Sequence, residues 1–233
     1  MDKLRLINHK LVRGGKAIEF QVSDWRVSNE KPPEIDETET KNKNDDNKKK
    51  YLPNVFNIKA YGTTRLGTSV AATISGFEPQ FYIKIPSYFG EPEMNVLITI
   101  IRGKLPFLHR ESITSYVIVK KINFWGFSNK KQRQFIEISF LNTQVMRAVE
   151  KILKKDINFP NISEPMKFQL FESNIPPLLR FFDIKKFKPA GWIRFEKYSI
   201  EERQNTQLSI RADWNDVKLP KKEKLIMAPF IIC

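Results

Sequence analysis

The run FESNIPPLLRFFDIKKFKPAGWIRF occupies residues 171–195 and carries the signals of a strand–helix–strand unit. Residues 167–171 read as a strand. Ser173 or Asn174 is placed to cap a short helix. The first turn of that helix tolerates Pro176 and Pro177, because the first backbone N–H groups of a helix have no intrahelical acceptor to lose. Ile175, Leu178, Leu179 and Phe182 form its expected buried stripe. Gly191 then releases a strand over residues 192–196.

The same arrangement lies immediately upstream. In residues 135–140, Ile136, Ile138 and Phe140 alternate with Glu137 and Ser139, which predicts a strand with the first three turned inward. Asn142 or Thr143 can cap the next helix, on which Val145, Met146, Val149, Ile152 and Leu153 share one face. Glu150 precedes Lys154 by four, and Lys151, Lys154 and Lys155 crowd the last turn, where cations suit the helix dipole. Residues 81–85 and 116–122 read as further strands. Residues 93–102 read as a short helix in spite of the β-branched Val96, Ile98, Thr99 and Ile100. Strands interleaved with helices from Phe81 onward predict an α+β sandwich of ferredoxin-like type.

Ahead of the sandwich the pattern changes. Residues 17–25 alternate as a strand, with Phe20, Val22 and Asp24 on one side and Gln21, Ser23 and Trp25 on the other. A hairpin follows: Phe56, Ile58 and Ala60 alternate with polar residues, residues 62–67 supply turn chemistry, and Val70, Ala72 and Ile74 resume the alternation. These early strands predict a separate β element.

Between the first strand and the hairpin, residues 28–50 read SNEKPPEIDETETKNKNDDNKKK. The only large apolar residue there is Ile35, so the segment cannot offset its ordering entropy by burial, and a disordered, dispensable surface insertion is expected. Its acids and bases nearly balance. The net charge of +14 therefore belongs to the rest of the 233 residues. A surplus of that size favours polyanionic partners. Hydrophobic residues make up 41% of the chain, including 18 Phe, which excludes a wholly disordered protein and allows one large or two small cores. The single cysteine, Cys233, excludes an intrachain disulfide and fits a reducing, intracellular setting. No run approaches ~20 apolar residues, so no membrane helix is expected. The closing residues LIMAPFIIC read as the opening of a buried strand, and the chain is expected to continue beyond them.

The sequence offers little for catalysis. His9 and His109 lack metal-ligand spacing. Residues 13–16, RGGK, lack the glycine spacing and the Ser or Thr of a phosphate loop. Glu34, Asp36, Glu37 and Glu39 lie in the insertion, without a scaffold to fix the near-octahedral geometry that Mg²⁺ demands. What stands out is basic and aromatic. Phe124, Trp125 and Phe127 precede Lys130, Lys131 and Arg133; Arg180, Lys185, Lys186 and Lys188 cluster around the end of the helix after Pro177. Cations that follow phosphates, interleaved with rings that stack on bases, suit single-stranded nucleic acid, and these seven side chains are the candidate contacts. A solvated face over core aromatics would read the same way.

Four stretches together resemble the N-terminal domain of family B DNA polymerases, in particular those of large DNA viruses and the eukaryotic delta-type enzymes. They are FQVSDW (20–25), YGTTRLGTSVAATISGFEPQFYIKIP (61–86), INFWGFSNKKQRQFIEISF (122–140) and the run quoted first. The last is the most specific, through Glu172, Ser173, Asn174, Pro177, Leu178, Leu179, Arg180 and Phe181, then Pro189, Gly191 and Trp192. Departures from the family pattern are mild: Gln80 in place of an aromatic, Asp183 in place of His, Ala190 in place of Cys. The resemblance implies that residues 1–222 form the family's N-terminal domain, with 28–50 inserted. It implies that residues 223–233 open a ribonuclease-H-like 3′–5′ exonuclease domain. The Asp-x-Glu pair that binds two catalytic Mg²⁺ ions in that family follows such a strand and is not in this sequence. The expected activity, templated DNA synthesis with proofreading, thus belongs to a longer protein. This piece would brace the exonuclease and contact template DNA, without catalysis or cofactor of its own. It would work with the downstream exonuclease and polymerase domains and with replication factors, at a viral replication site in the host cytoplasm or nucleus. A stand-alone nucleic-acid-binding module and a platform for replication factors are the competing functions.

Overall fold

In a computed structural model of the chain, residues 17–31, 53–122, 132–160, 162–202 and 205–220 are described. In chain order their elements are β1 (Ile18–Glu30), β2 (Val55–Thr63), β3 (Ser69–Ser75), β4 (Gln80–Lys84), α1 (Glu91–Lys104), β5 (Ile113–Ile122) and β6 (Gln132–Phe140). Then come α2 (Thr143–Leu153), β7 (Gln169–Phe171), α3 (Pro177–Lys185), β8 (Trp192–Phe195), β9 (Ser199–Ile200), β10 (Leu208–Asp213) and β11 (Val217–Lys218). The chain divides into two compact units. One takes the residues up to Ser28, Phe56–Phe77 and those from Pro176 onward; the other takes Asn29–Val55 and Glu78–Ile175.

The second unit follows the order β4-α1-β5-β6-α2-β7, and its sheet runs β5-β6-β4-β7, antiparallel at every pair. This is the ferredoxin-like arrangement expected from the alternation of strands and helices. One face of the sheet, with Phe81, Ile83, Ile136 and Ile138, is buried beneath Leu97 and Ile101 of α1 and Val149 of α2. α1 forms despite its β-branched residues because Met94, Leu97, Ile98 and Ile101 are buried and its ends are well made. The Glu93 carboxylate accepts from the Gly90 N–H at 2.8 Å, and Arg102 and Lys104 occupy the last turn. Of the two cap candidates for α2, Asn142 is the cap: its Oδ1 accepts from the Val145 N–H at 3.0 Å.

The first unit is a seven-stranded sheet in the order β11-β8-β1-β2-β3-β10-β9. β2 and β3 form the expected hairpin, closed by a turn in which Gly67 has φ 81° and its N–H bonds the Thr64 carbonyl. The core gathers Phe20, Ile58, Val70, Ile74, Ile193 and Phe195, all 0% exposed. Phe20 stacks on Phe195 across the β1–β8 pair, with ring centroids 5.6 Å apart.

Four expectations need correction. The strand at Trp192 belongs to the seven-stranded sheet, paired with β1 and β11, and not to the ferredoxin-like sandwich; the sandwich is already closed by β7. α3 begins at Pro177 without a side-chain cap, and the Ser173 hydroxyl donates instead to Glu150 at 3.2 Å. The buried stripe of α3 runs through Leu178, Phe181 and Phe182, whereas Leu179 is 55% exposed and Ile175 36%. Phe181 sets this phase by packing edge-on against Phe77, Phe187 and Trp25. Finally, β1 continues through Glu30, three residues into the expected insertion. The Asn29 side chain is held there by Thr143, donating to its hydroxyl at 2.8 Å and accepting from its N–H at 3.2 Å. The remainder of that insertion, from residue 32, lies outside the described residues, as do residues 223–233.

Candidate nucleic-acid interface

A four-stranded sheet with helices on one face has a second face that no described helix covers. Strand alternation decides what stands there. Because Phe81 and Ile83 point to the helices, Tyr82 and Lys84 point away, and the register carries their partners with them. Tyr82 lies opposite Glu137 and Phe171; Lys84 lies opposite Phe135 and Gln169; Lys121 lies opposite Arg133. This face therefore combines three rings, the buried Tyr82 and Phe135 and the half-buried Phe171, with three cations, Lys84, Lys121 and Arg133, and the carboxylate of Glu137. Phe135 and Phe171 meet edge to face at 5.3 Å. The ammonium of Lys121 sits 3.7 Å from the centroid of the Tyr82 ring, a cation–π contact.

Two depressions flank this row. The first, about 440 Å³, is lined among others by Tyr82, Lys121, Phe135, Phe171, Glu172 and Asn174. The second, about 660 Å³, has Lys84, Arg133 and Lys167 on its walls together with Gln132 and Gln134 and, among the described residues, no carboxylate. Glu172, which lines the first groove, stands in the left-handed region at φ 61°. Its neighbour Ser173 is pinned from α2: the Arg147 guanidinium donates to the Ser173 carbonyl at 2.8 Å, and Glu150 receives Arg147, Lys154 and the Ser173 hydroxyl.

Of the seven candidate contacts, Arg133 takes its place on this face, while Lys130 and Lys131 lie outside the described residues, as do Phe124, Trp125 and Phe127. Arg180, Lys185, Lys186 and Lys188 are brought together elsewhere, in the first unit, on α3 and the turn that follows it. They are not equivalent. Lys185 lays its ammonium 4.6 Å from the Trp214 ring. Burial draws its ammonium below the usual lysine range and Lys218 adds to this, against the pull of Asp213 and Asp216. Lys186 ends the helix in the left-handed conformation, φ 57°, and pairs with Asp183 at 2.8 Å. Lys188 is exposed and its carbonyl accepts from Gly191. Trp25, which alternation sets on the side of β1 away from Phe20, offers no free ring for a base: it is packed against Phe181, Phe182 and Phe187 and donates its indole N–H to the Pro189 carbonyl at 2.7 Å. Sequence reading missed Tyr82, Lys84, Lys121, Phe135 and Phe171. The signal was partial: Phe135 belongs to a strand whose inward residues, Ile136, Ile138 and Phe140, were assigned, whereas no face was assigned for the strands of Tyr82, Lys84, Lys121 and Phe171.

Among the described residues no group of three or more His, Cys, Asp or Glu is placed to hold a metal ion. Nor is any described helix long and apolar enough to cross a membrane.

No family model matches the chain. Its relatives are informative. It is 34% identical over 184 residues to a DNA polymerase of Pyramimonas orientalis virus, covering 78% of this chain and 14% of that protein. It is 29% identical over 231 residues to a DNA polymerase of Acanthamoeba polyphaga mimivirus, covering 93% of this chain and 12% of the relative. The DNA polymerase delta catalytic subunit of Drosophila melanogaster matches at 29% over 147 residues, 58% of this chain and 13% of the subunit. The family B DNA polymerase of the archaeon Pyrobaculum calidifontis superposes with a TM-score of 0.55 over 91% of this chain and 21% of its own, at 13% identity, which establishes the shared fold. The chain belongs to the family B DNA polymerases. Within that family its relatives include viral DNA polymerases and delta catalytic subunits, and it spans about an eighth to a fifth of the length of the first three viral relatives.

Proposed function

We propose that the chain is the N-terminal segment of a DNA-directed DNA polymerase with 3′–5′ proofreading, and that its own task is to brace the exonuclease and guide single-stranded template. Catalysis and its Mg²⁺ ions belong to residues outside the chain. Residues 1–222 act as the N-terminal domain, residues 223–233 lead into the exonuclease, and the protein works inside the cell where the viral or host genome is copied. The observation that carries the DNA contact is the row of Lys84, Lys121 and Arg133 on the face of the four-stranded sheet that no described helix covers, beside the half-buried Phe171. The cations follow the phosphates, and the Phe171 ring offers a sequence-tolerant surface for a base.

The test is fluorescence anisotropy of a labelled single-stranded oligonucleotide against the purified chain at several salt concentrations. Binding should be weak, indifferent to sequence, and steeply reduced by salt. The log–log slope measures phosphate contacts at about 0.7 each for single strands. Charge reversal at Lys130 and Lys131 should flatten it by about one to two units, and charge reversal at Arg133 by about 0.7. Equal affinity and equal slope in wild type and variants would remove DNA from the picture and leave the segment as a brace alone.

A further inference from the structure

We propose that the outer edge of β5 is a docking site for an extended, acidic segment of another protein, which adds to the four-stranded sheet as a fifth, antiparallel strand. This contact is separate from the one proposed for DNA and uses the edge of the sheet, not its face.

The two sheets end on four edge strands, β11 and β9 in the larger and β5 and β7 in the smaller. Three of them are short, with two residues in β9 and β11 and three in β7, and a short edge is a common protection against unwanted pairing. β5 is the exception. It has ten residues, pairs with β6 on one side, and meets no strand on the other among the described residues. Its register with β6 is regular from Ser115 to Ile122, and the strand contains neither proline nor glycine. The outer side therefore presents an uninterrupted row of backbone N–H and C=O groups to an added strand. The side chains change character along that row. Val117 is 51% exposed and Val119 half-buried on the face away from the helices, while Tyr116 and Ile118 pack toward the core. Charge begins at Lys120 and Lys121, which the register sets opposite Gln134 and Arg133, so β6 brings no carboxylate across from either. Lys121 leans across β6 onto the Tyr82 ring of β4. Lys120 is thus the direct partner for a carboxylate on an added strand, with Lys121 and Arg133 strengthening the positive field there. A strand with an acidic end and an apolar middle matches these surfaces, and antiparallel addition fixes its order: the acids precede the apolar residues. A second copy of this chain matches less well, because it would bring a net charge of +14 to an edge that is already basic.

The probe is a fluorescein-labelled peptide, Glu-Asp-Val-Thr-Val-Thr-Thr, whose first five residues would lie opposite Lys121, Lys120, Val119, Ile118 and Val117. It is titrated by anisotropy into the full 233-residue chain. Binding should be saturable with a Kd tighter than ~1 mM, and hydrogen exchange in residues 115–122 should slow when the peptide is bound. Alternate N–H groups of a strand point to opposite sides. Methylating the backbone nitrogens of the even-numbered peptide residues therefore blocks one side of it, and methylating the odd-numbered ones blocks the other. One set should abolish binding and the other should leave it. Lys120→Glu should weaken binding at least ~2-fold, the low end for turning a cross-strand attraction into a repulsion, and a peptide with lysine in place of its aspartate should recover the loss. Circular dichroism establishes that the variant is folded. No binding, binding that survives both methylated sets, slowed exchange outside β5, or a Lys120→Glu chain that holds the acidic peptide as before overturns the proposal. A chain that sediments as a dimer and is split by the peptide also overturns it, since a second copy then holds the edge.

Discussion

Gly62 of β2 lies so close to the Gln21 carbonyl of β1 that a Cβ at position 62 would stand 2.0 Å from that oxygen and 2.7 Å from the Phe20 ring. Neither neighbour can retreat, since the first is backbone within a sheet and the second is a fully buried core ring. Gly62→Ala should therefore cost ~1–3 kcal/mol through overpacking, which at this size lowers the thermal midpoint by ~2–4 °C per kcal/mol. Gly103 is the control: it is exposed in α1, and a Cβ there would meet nothing within 4 Å. Gly103→Ala should raise stability by ~0.5–1 kcal/mol. Differential scanning calorimetry on the two variants decides the point, and a neutral Gly62→Ala would mean that β1 and β2 are not pressed together as described.

Glu150 should make the second unit sensitive to acid. Burial works to raise its pKa, but hydrogen bonds from Arg147 and Lys154 and their charges outweigh it and hold the carboxyl below the usual glutamate range. A carboxyl whose folded pKa is depressed stabilises fully above the unfolded value, ~4.3, and loses that contribution as pH falls through the folded value. Stability measured by urea unfolding from pH 6 to pH 3 should decline less steeply in Glu150→Gln than in wild type. Parallel curves would show that the carboxylate contributes nothing pH-dependent.

Lys186→Gly should separate stability from DNA binding. The residue ends α3 at φ 57°, where glycine is free of the penalty a side chain incurs, and its ion pair with Asp183 is between two exposed groups worth little. Stability should rise by up to ~1 kcal/mol. Affinity for single-stranded DNA should fall, with a slope smaller by about 0.7 if Lys186 meets a phosphate. A gain in stability with unchanged binding assigns Lys186 to the helix end alone.

Trp25 should prove structural. Trp25→Ala removes its contacts with Phe181, Phe182 and Phe187 and should cost ~2–3 kcal/mol for a half-buried ring. Trp25→Phe keeps the ring but strands the Pro189 carbonyl, at about 1 kcal/mol. Neither change should alter the salt slope of DNA binding, and a changed slope would place Trp25 at the interface.

The ferredoxin-like unit was legible because period and cap agree: Ile136, Ile138 and Phe140 at period 2, Asn142 as the cap, then Val145, Met146 and Val149 at helical spacing. What remained illegible is what depends on distant partners. Leu179 and Phe181 are equally apolar, and only the aromatic cluster built with Phe77, from a different part of the chain, selects the second for burial. The same holds for β8, which looks like the completion of a local unit until β1 claims it. At the interface, the cation runs were easy to see because they are contiguous. Tyr82, Lys121 and Phe171 come from three strands, and no local pattern links them before the sheet register does.

The parallel pairing of β10 with β3, Val70 against Leu208 through Ser75 against Asp213, has a consequence for synthesis on the ribosome. The ferredoxin-like unit has all its strands and both its helices once Ile175 has emerged. At that moment β1, β2 and β3 are a three-stranded sheet with both edges open, since β8 and β10 are still to be made. Open edges are templates for pairing with other chains. The early strands must therefore wait through the synthesis of the whole ferredoxin-like unit and on to β8 and β10, and the nascent chain is most prone to aggregate after that middle unit has folded and before its first strands are covered.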